Sequence, residues 1–223
     1  MENTEFNRVL RRIATVLSVV IITLSLVAAS TGILLSFYYE PAAGRAYQSL
    51  KVIAEQVSYG WLFRKAHNIA GNAVIAIALV QIVVLFLSRQ FRKSWLTAWI
   101  SAIFFTLIAI GLSWTAMILS WDQEGFWRFS IELGTIEAIP FIGSQLREIL
   151  TGGGAISTLT IQRLYTIHSY ILSIAAIIIS VVHLLSVLWQ AKQTQSSGAN
   201  SEVINSQPQS IINQGAGASL AES

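Results

Sequence analysis

The sequence contains no cysteine. Disulfides, thiolate metal sites, iron–sulfur clusters and covalently tethered haem are therefore excluded. Charge is the second scarcity: Asp, Glu, Lys and Arg make up 11% of the 223 residues, against about a quarter in soluble domains. Histidine is scarce too, with three residues, His67, His168 and His183. A formal net charge of +3, scattered along the chain, lacks the basic footprint of a nucleic-acid binder. What the chain has in excess is hydrophobic residues, at 54%, which is the balance of a membrane protein.

The charges fall in clusters separated by long uncharged runs at residues 13–39, 66–88, 94–121 and 164–191. A helix needs roughly 20 apolar residues to cross the hydrocarbon core, and all four runs are long enough. Helices also satisfy their own backbone in lipid, so four membrane-spanning helices are predicted. Tyr38, Tyr39, Trp61, Trp95, Trp99 and Trp121 lie near the ends of these runs, where interfacial belts form. The first run exceeds the roughly 7–15 residues of a signal-peptide core and is expected to remain as a span.

With four spans, both termini and the 89–93 loop share one side. That side carries Arg8, Arg11, Arg12, Arg89, Arg92, Lys93 and Lys192 against four acids, while the other side balances seven bases with seven acids. The bias places the termini on the cytoplasmic or stromal side. Three segments are expected: a basic N-terminal piece (1–12), a four-helix membrane domain (13–191) and a polar, disordered tail (192–223). Between spans, residues 40–60 read as a short surface helix, with Leu50, Ile53, Ala54 and Val57 as its apolar positions. Residues 122–160 read as a long functional loop.

His67 and His168 begin the second and fourth runs, so they lie at matching depth near the outer surface. Ionisable side chains within spans are costly and mark functional sites. Two imidazoles facing each other in a bundle are a means of holding a b-type haem; the plainer role is interhelical hydrogen bonding. His183 follows His168 by four turns, roughly 22 Å deeper. Its counterpart on the second span, fourteen residues after His67, is Gln81. A carboxamide is a poor iron ligand.

Small residues repeat the same interval: Ser18 and Gly32 in the first span, Ala102 and Ala116 in the third. They either admit a flat macrocycle or serve as ordinary helix contacts. Arg64 and Arg163 precede the outer histidines and either reach haem propionates or anchor the chain at the interface.

Several stretches together resemble cytochrome b6, equivalent to the N-terminal four-helix half of cytochrome b. They are Thr31-Gly32 through Phe37-Tyr38-Tyr39-Glu40-Pro41, and Val57-Ser58-Tyr59-Gly60-Trp61-Leu62-Phe63-Arg64 leading to His67. They continue through Trp121-Asp122-Gln123-Glu124-Gly125-Phe126-Trp127, Glu137-Ala138-Ile139-Pro140, and Thr151-Gly152-Gly153-Gly154 to Arg163, His168 and His183. The resemblance implies an all-α, four-helix transmembrane haem-binding bundle. In it His67 and His168 would ligate a haem b on the outer side, beside Gly32 and Ala116, with Arg64 and Arg163 at its propionates.

The same resemblance implies quinol as substrate, with Trp121, Gly125, Phe126, Trp127, Ile139 and Pro140 in part of its pocket. It implies a homodimer working with a three-helix cytochrome b subunit, a Rieske iron–sulfur protein and a c-type cytochrome, in a thylakoid or bacterial plasma membrane. Against the family pattern, Gln81 replaces a histidine, Ser18, Ala102 and Ala116 replace glycines, Ser120 replaces a proline, and Val16 replaces the haem-attaching cysteine. No covalent haem is expected. At the inner site three outcomes stay open: a five-coordinate haem on His183, no haem, or a haem whose sixth ligand is water or Gln81. Two functions compete. One is an electron-transfer subunit of a quinol oxidoreductase; the other is a divergent paralogue with one haem that anchors or regulates another membrane complex.

Overall fold

The computed structural model describes residues 2–88 and 95–206, with the side chains of residues 5–88 and 95–192. The helices are α1 (Glu2–Ser36), α2 (Ala46–Glu55), α3 (Gly60–Leu87), α4 (Leu96–Leu119), α5 (Gln123–Glu137), α6 (Gly143–Thr151), α7 (Thr158–Thr166) and α8 (Ser173–Ser206). A π-helical turn, Ile167–Leu172, joins α7 to α8. Four stretches are long and apolar enough to cross a membrane: Glu5–Ser36, Gly60–Leu87, Leu96–Leu119 and Thr158–Lys192. The four predicted spans are therefore present. Each begins before its uncharged run or near its edge, because interfacial charges such as Arg64 and Lys65 are tolerated in a first turn.

The spans form a ring in the order α1, α3, α4, α8, with α8 closing back on α1. The second and fourth spans thus stand at opposite corners and face each other across the bundle. Outward faces are apolar and exposed, for example Leu107, Ile110, Ile178 and Leu185, as lipid-facing surfaces are. Hydroxyls inside the spans return to their own helix: Ser18 Oγ donates to Ala14 O, Ser25 Oγ to Ile21 O and Thr106 Oγ1 to Ala102 O. The polar atoms are thereby satisfied without water.

Three apolar clusters stack along the bundle. The outer one centres on Ile118, Phe129, Ile161 and Leu164. The middle one holds Ile21, Val74, Phe105 and Ala109. The inner one holds Leu10, Leu85, Trp95 and Val187.

The outer connections are more ordered than a loop reading of residues 122–160 allows, since α5 and α6 occupy most of that stretch. The Asp122 side chain accepts from Gly125 N at 2.8 Å, an N-cap that starts α5. Gly152, at φ +79°, ends α6 in the left-handed region, and a Ser157–Thr160 capping box starts α7. The segment before α2 is pinned from two sides. Tyr39 Oη donates to Leu119 O at 2.8 Å and its ring stacks on Tyr165. Burial, with the Tyr165 phenol adding to it, pushes the Tyr39 pKa up.

One expectation changes at the inner side. The polar tail expected from residue 192 is helical through Ser206; a helix that leaves the membrane keeps its own backbone bonds and need not stop at the interface. Residues 207–223 of that tail lie outside the described residues, as does the basic loop with Arg89, Arg92 and Lys93.

Candidate functional site

His67, on α3, and His168, in the π turn, meet across the bundle with ring centroids 6.4 Å apart. The two rings are not hydrogen-bonded to each other. Each is instead held from behind by a neighbouring helix. His67 Nδ1 lies 2.8 Å from Ala28 O and 3.3 Å from Thr31 Oγ1, both on α1. A carbonyl can only accept, so His67 carries its proton on Nδ1.

His168 Nδ1 lies 2.8 Å from Thr115 Oγ1 on α4. The Thr115 hydroxyl spends its one hydrogen on Gly111 O or Leu112 O, at 2.8 and 3.0 Å. It therefore accepts from His168 Nδ1. In both rings Nε2 remains the unprotonated nitrogen, and a hydrogen-bonded Nδ1–H is the arrangement that orients a metal-binding imidazole.

The spacing suits an iron between the rings. With metal–imidazole bonds of about 2 Å and roughly 1 Å from nitrogen to ring centre, two rings sharing one metal have centroids roughly 6 Å apart. Gly32 passes against the first ring: a Cβ there would stand 3.0 Å from His67 Cε1. No three His, Cys, Asp or Glu side chains converge among the described residues. A metal held by this pair must therefore bring its remaining donors with it, as haem iron does. The outer residues fit a bis-imidazole haem.

The inner layer is built on the same plan with a different result. His183 is 2% exposed and Gln81 1%, and Gln81 Nε2 lies 3.0 Å from His183 Nε2. Gln81 Nε2 also donates to Ser18 Oγ at 3.0 Å, with Ala14 O at 3.2 Å. Ser101 Oγ lies 3.0 Å from His183 Nδ1. Ala102 is buried with Trp95 in the surrounding apolar cluster.

A fourteen-residue offset runs through both layers. Ala14 and Ala28, Ser18 and Gly32, Gln81 and His67, Ser101 and Thr115, and Ala102 and Ala116 are each fourteen apart. The first member of each pair belongs to the inner layer. His168 and His183 are fifteen apart. The π turn that contains His168 takes up the extra residue, which restores the register across the bundle. Thr115 and Ser101 are histidine partners that the histidine spacing alone does not reveal; their own fourteen-residue interval is the signal that does.

The remaining candidates separate. Arg64 lies one turn before His67, half-buried, and its guanidinium has no side-chain partner among the described residues. Arg163 is engaged: Nη1 donates to Ile149 O at 2.8 Å and Glu148 O at 3.3 Å, at the C-terminal end of α6. Ala116 is half-buried beside Thr115.

Trp121, Phe126 and Trp127 form an edge-to-face series with centroids 5.7 and 5.3 Å apart. Trp121 has φ +48°, and Gly125 lies where a Cβ would be 2.8 Å from Met117 O. Ile139 and Pro140 are exposed in the α5–α6 connection. Of these six residues only Trp127 lines the shallow cleft along α5, with Gln123, Glu124, Arg128, Ile131 and Glu132. Glu132 accepts from Trp114 Nε1 at 2.6 Å and pairs with Arg128 at 3.0 Å.

Residues 4–191 match the family model described as Cytochrome b/b6/petB. The cytochrome b6 of Synechococcus elongatus is 30% identical over 166 residues, which cover 74% of this chain and 77% of that protein. The cytochrome b6 of Cyanidium caldarium is 32% identical over the same shares. A chain of a hyperthermophilic respiratory Complex III superposes with a TM-score of 0.69 at 20% identity, over 78% of this chain. The match spans 47% of that longer chain, and at this identity it speaks for the fold alone.

Proposed function

Because the chain belongs to the cytochrome b/b6 family, we propose that it is an integral-membrane b-type cytochrome subunit of a quinol oxidoreductase complex, with one haem b held by His67 and His168. The observation that carries this reading is the outer pair itself: two imidazoles at iron-spanning separation, each with Nδ1 anchored and Nε2 free. When bound, the haem supplies one-electron chemistry; the chain supplies its depth, ligands and electrostatics.

Ala28 and Thr31 orient His67, and Thr115 orients His168. Gly32 and Ala116 flank the pair. Arg64 offers an unengaged cation for a carboxylate, whereas Arg163 steadies α6 as it does so, through the Glu148 and Ile149 carbonyls. The aromatic series from Trp121 to Trp127, with Gly125, Ile139 and Pro140, supplies this chain's share of a quinol pocket. Residues 13–191 form the cytochrome domain, and both termini face the cytoplasm or stroma. The complete complex is a dimer that adds a three-helix cytochrome b subunit, a Rieske iron–sulfur protein and a c-type cytochrome.

A second reading, a one-haem paralogue without quinol turnover, is favoured by the hydrogen-bonded inner layer. The two readings part in one experiment. The complex is isolated from membranes in mild detergent, and quinol is added while the b-type absorption is followed. The first reading expects quinol to reduce the low-spin b signal. A b signal that responds to dithionite but not to quinol overturns it in favour of the second.

A further inference from the structure

The two polar layers have matched positions but opposite construction, and we infer that the inner layer is a hydrogen-bonded clamp between the second and fourth spans rather than a second haem site. The inference rests on the outer-layer reading, which sets the separation that a metal between two side chains requires. Outer centroids stand 6.4 Å apart with no bond between the rings. In the inner layer the facing nitrogens of Gln81 and His183 are 3.0 Å apart. Two axial donors on one iron lie about 4 Å apart at bond lengths near 2 Å, so a direct hydrogen bond leaves no place for the metal.

The proton positions also leave no ligand for a metal. Ser101 Oγ directs its hydrogen to Ala98 O at 3.1 Å, so it accepts from His183 Nδ1–H. His183 Nε2 is then the acceptor, and it takes a hydrogen from the Gln81 amide. The lone pair an iron would need is already engaged. Ser18 fixes the amide's orientation: its hydroxyl donates to Ala14 O at 2.8 Å, so its oxygen accepts from Gln81 Nε2. Ala14 O, an acceptor too, also faces that nitrogen. Turning the amide would set an oxygen against two acceptors, Ala14 O and His183 Nε2.

The surroundings are filled to match. Leu10, Val84, Leu85, Trp95 and Val187 pack in one buried apolar cluster with Ala14 and Ala98, whose carbonyls accept from Gln81 and Ser101, and Ser18 and Ala102 are themselves buried. Where Gly32 lets α1 approach the outer ring, its inner counterpart Ser18 places a hydroxyl on Gln81. The Gln81 Oε1 atom is buried without a partner, which costs stability. That cost is borne by a network of hydrogen bonds joining α1, α3, α4 and α8. The chain accordingly offers no relay between the two membrane faces, the layers being roughly 22 Å apart along the fourth span.

The test is the haem-to-chain ratio of the purified full chain, measured by haem extraction against amino-acid analysis, in wild type, His168→Ala and His183→Leu. The clamp predicts one, none and one. Two haems in wild type, or a ratio lowered by His183→Leu, overturns it. A ratio unaffected by His168→Ala overturns the outer-site reading instead, while leaving the clamp standing if His183→Leu also keeps its haem.

A second readout is thermal. Gln81→Leu and His183→Leu are expected to lower the melting temperature by about 2–8 °C at an unchanged haem ratio. Unchanged melting in both removes the clamp. Should His183→Leu fail to assemble, His183→Gln replaces it in the haem-ratio measurement, since it keeps a hydrogen-bonding side chain but cannot serve as an iron ligand of imidazole strength.

Discussion

Replacing His168 by alanine is expected to abolish the low-spin b-type absorption of the purified chain, and His67→Ala is expected to do the same. Neither loss follows from packing, since both rings are only partly buried and neither bonds to the other. Each variant removes one of two axial nitrogens and leaves the opposite ring anchored on its own helix. A graded companion is Thr115→Val, which keeps the ligand but deletes the acceptor at His168 Nδ1. Loss of such an orienting partner weakens metal sites by about 10–100-fold, read here as faster haem loss to an apoprotein scavenger. An interhelical-glue role for both histidines, His67 with α1 and His168 with α4, predicts a lowered melting temperature in all three variants with the spectrum unchanged.

The second large effect is expected far from any ligand. Gly60→Ala places a Cβ 1.9 Å from Ile53 O and 2.9 Å from Ile53 C. Both are backbone atoms of α2, which cannot turn aside as a side chain would. Tyr59, immediately before, already sits at φ +60°, so the elbow between α2 and α3 has no further freedom to give. The two helices must separate, at a cost on the order of 3 kcal/mol. For a chain of this size that corresponds to a fall of roughly 6–12 °C in melting temperature. His67 lies two turns along the same helix, so haem retention should fall together with stability. A melting temperature within about 2 °C of wild type would mean that the elbow is looser than its geometry.

The spans were legible because charge is costly in lipid: the gaps between charged residues mark where the helices must run. The matched depth of His67 and His168 was legible from the same runs. The closure of the inner layer was not. Gln81 announces a weak ligand, yet only the folded bundle brings its amide to His183 and fixes its orientation through Ser18 and Ala14. The π turn was hidden for a related reason. Nothing in Ile167–Leu172 specifies a wider helix; it is set by the need to align a fifteen-residue interval on one span with a fourteen-residue interval on another.

The helices within residues 122–160 were obscured because their buried positions, Gly125, Phe129 and Leu133 on α5, include a glycine and repeat every four residues among many polar ones. Asp122 three residues before Gly125 was the available sign of a helix start. Arg163 illustrates a different limit. Its position five residues before His168 suggests a carboxylate partner, but the same guanidinium caps α6, through contacts made across fourteen and fifteen residues of chain.

A single haem between His67 and His168 is tested by the low-temperature EPR spectrum of the oxidised, purified chain. One low-spin ferric signal from two axial nitrogens is expected, lost in both His67→Ala and His168→Ala and retained in His183→Leu. A high-spin signal alone, or a low-spin signal that survives His168→Ala and disappears with His183→Leu, would contradict it.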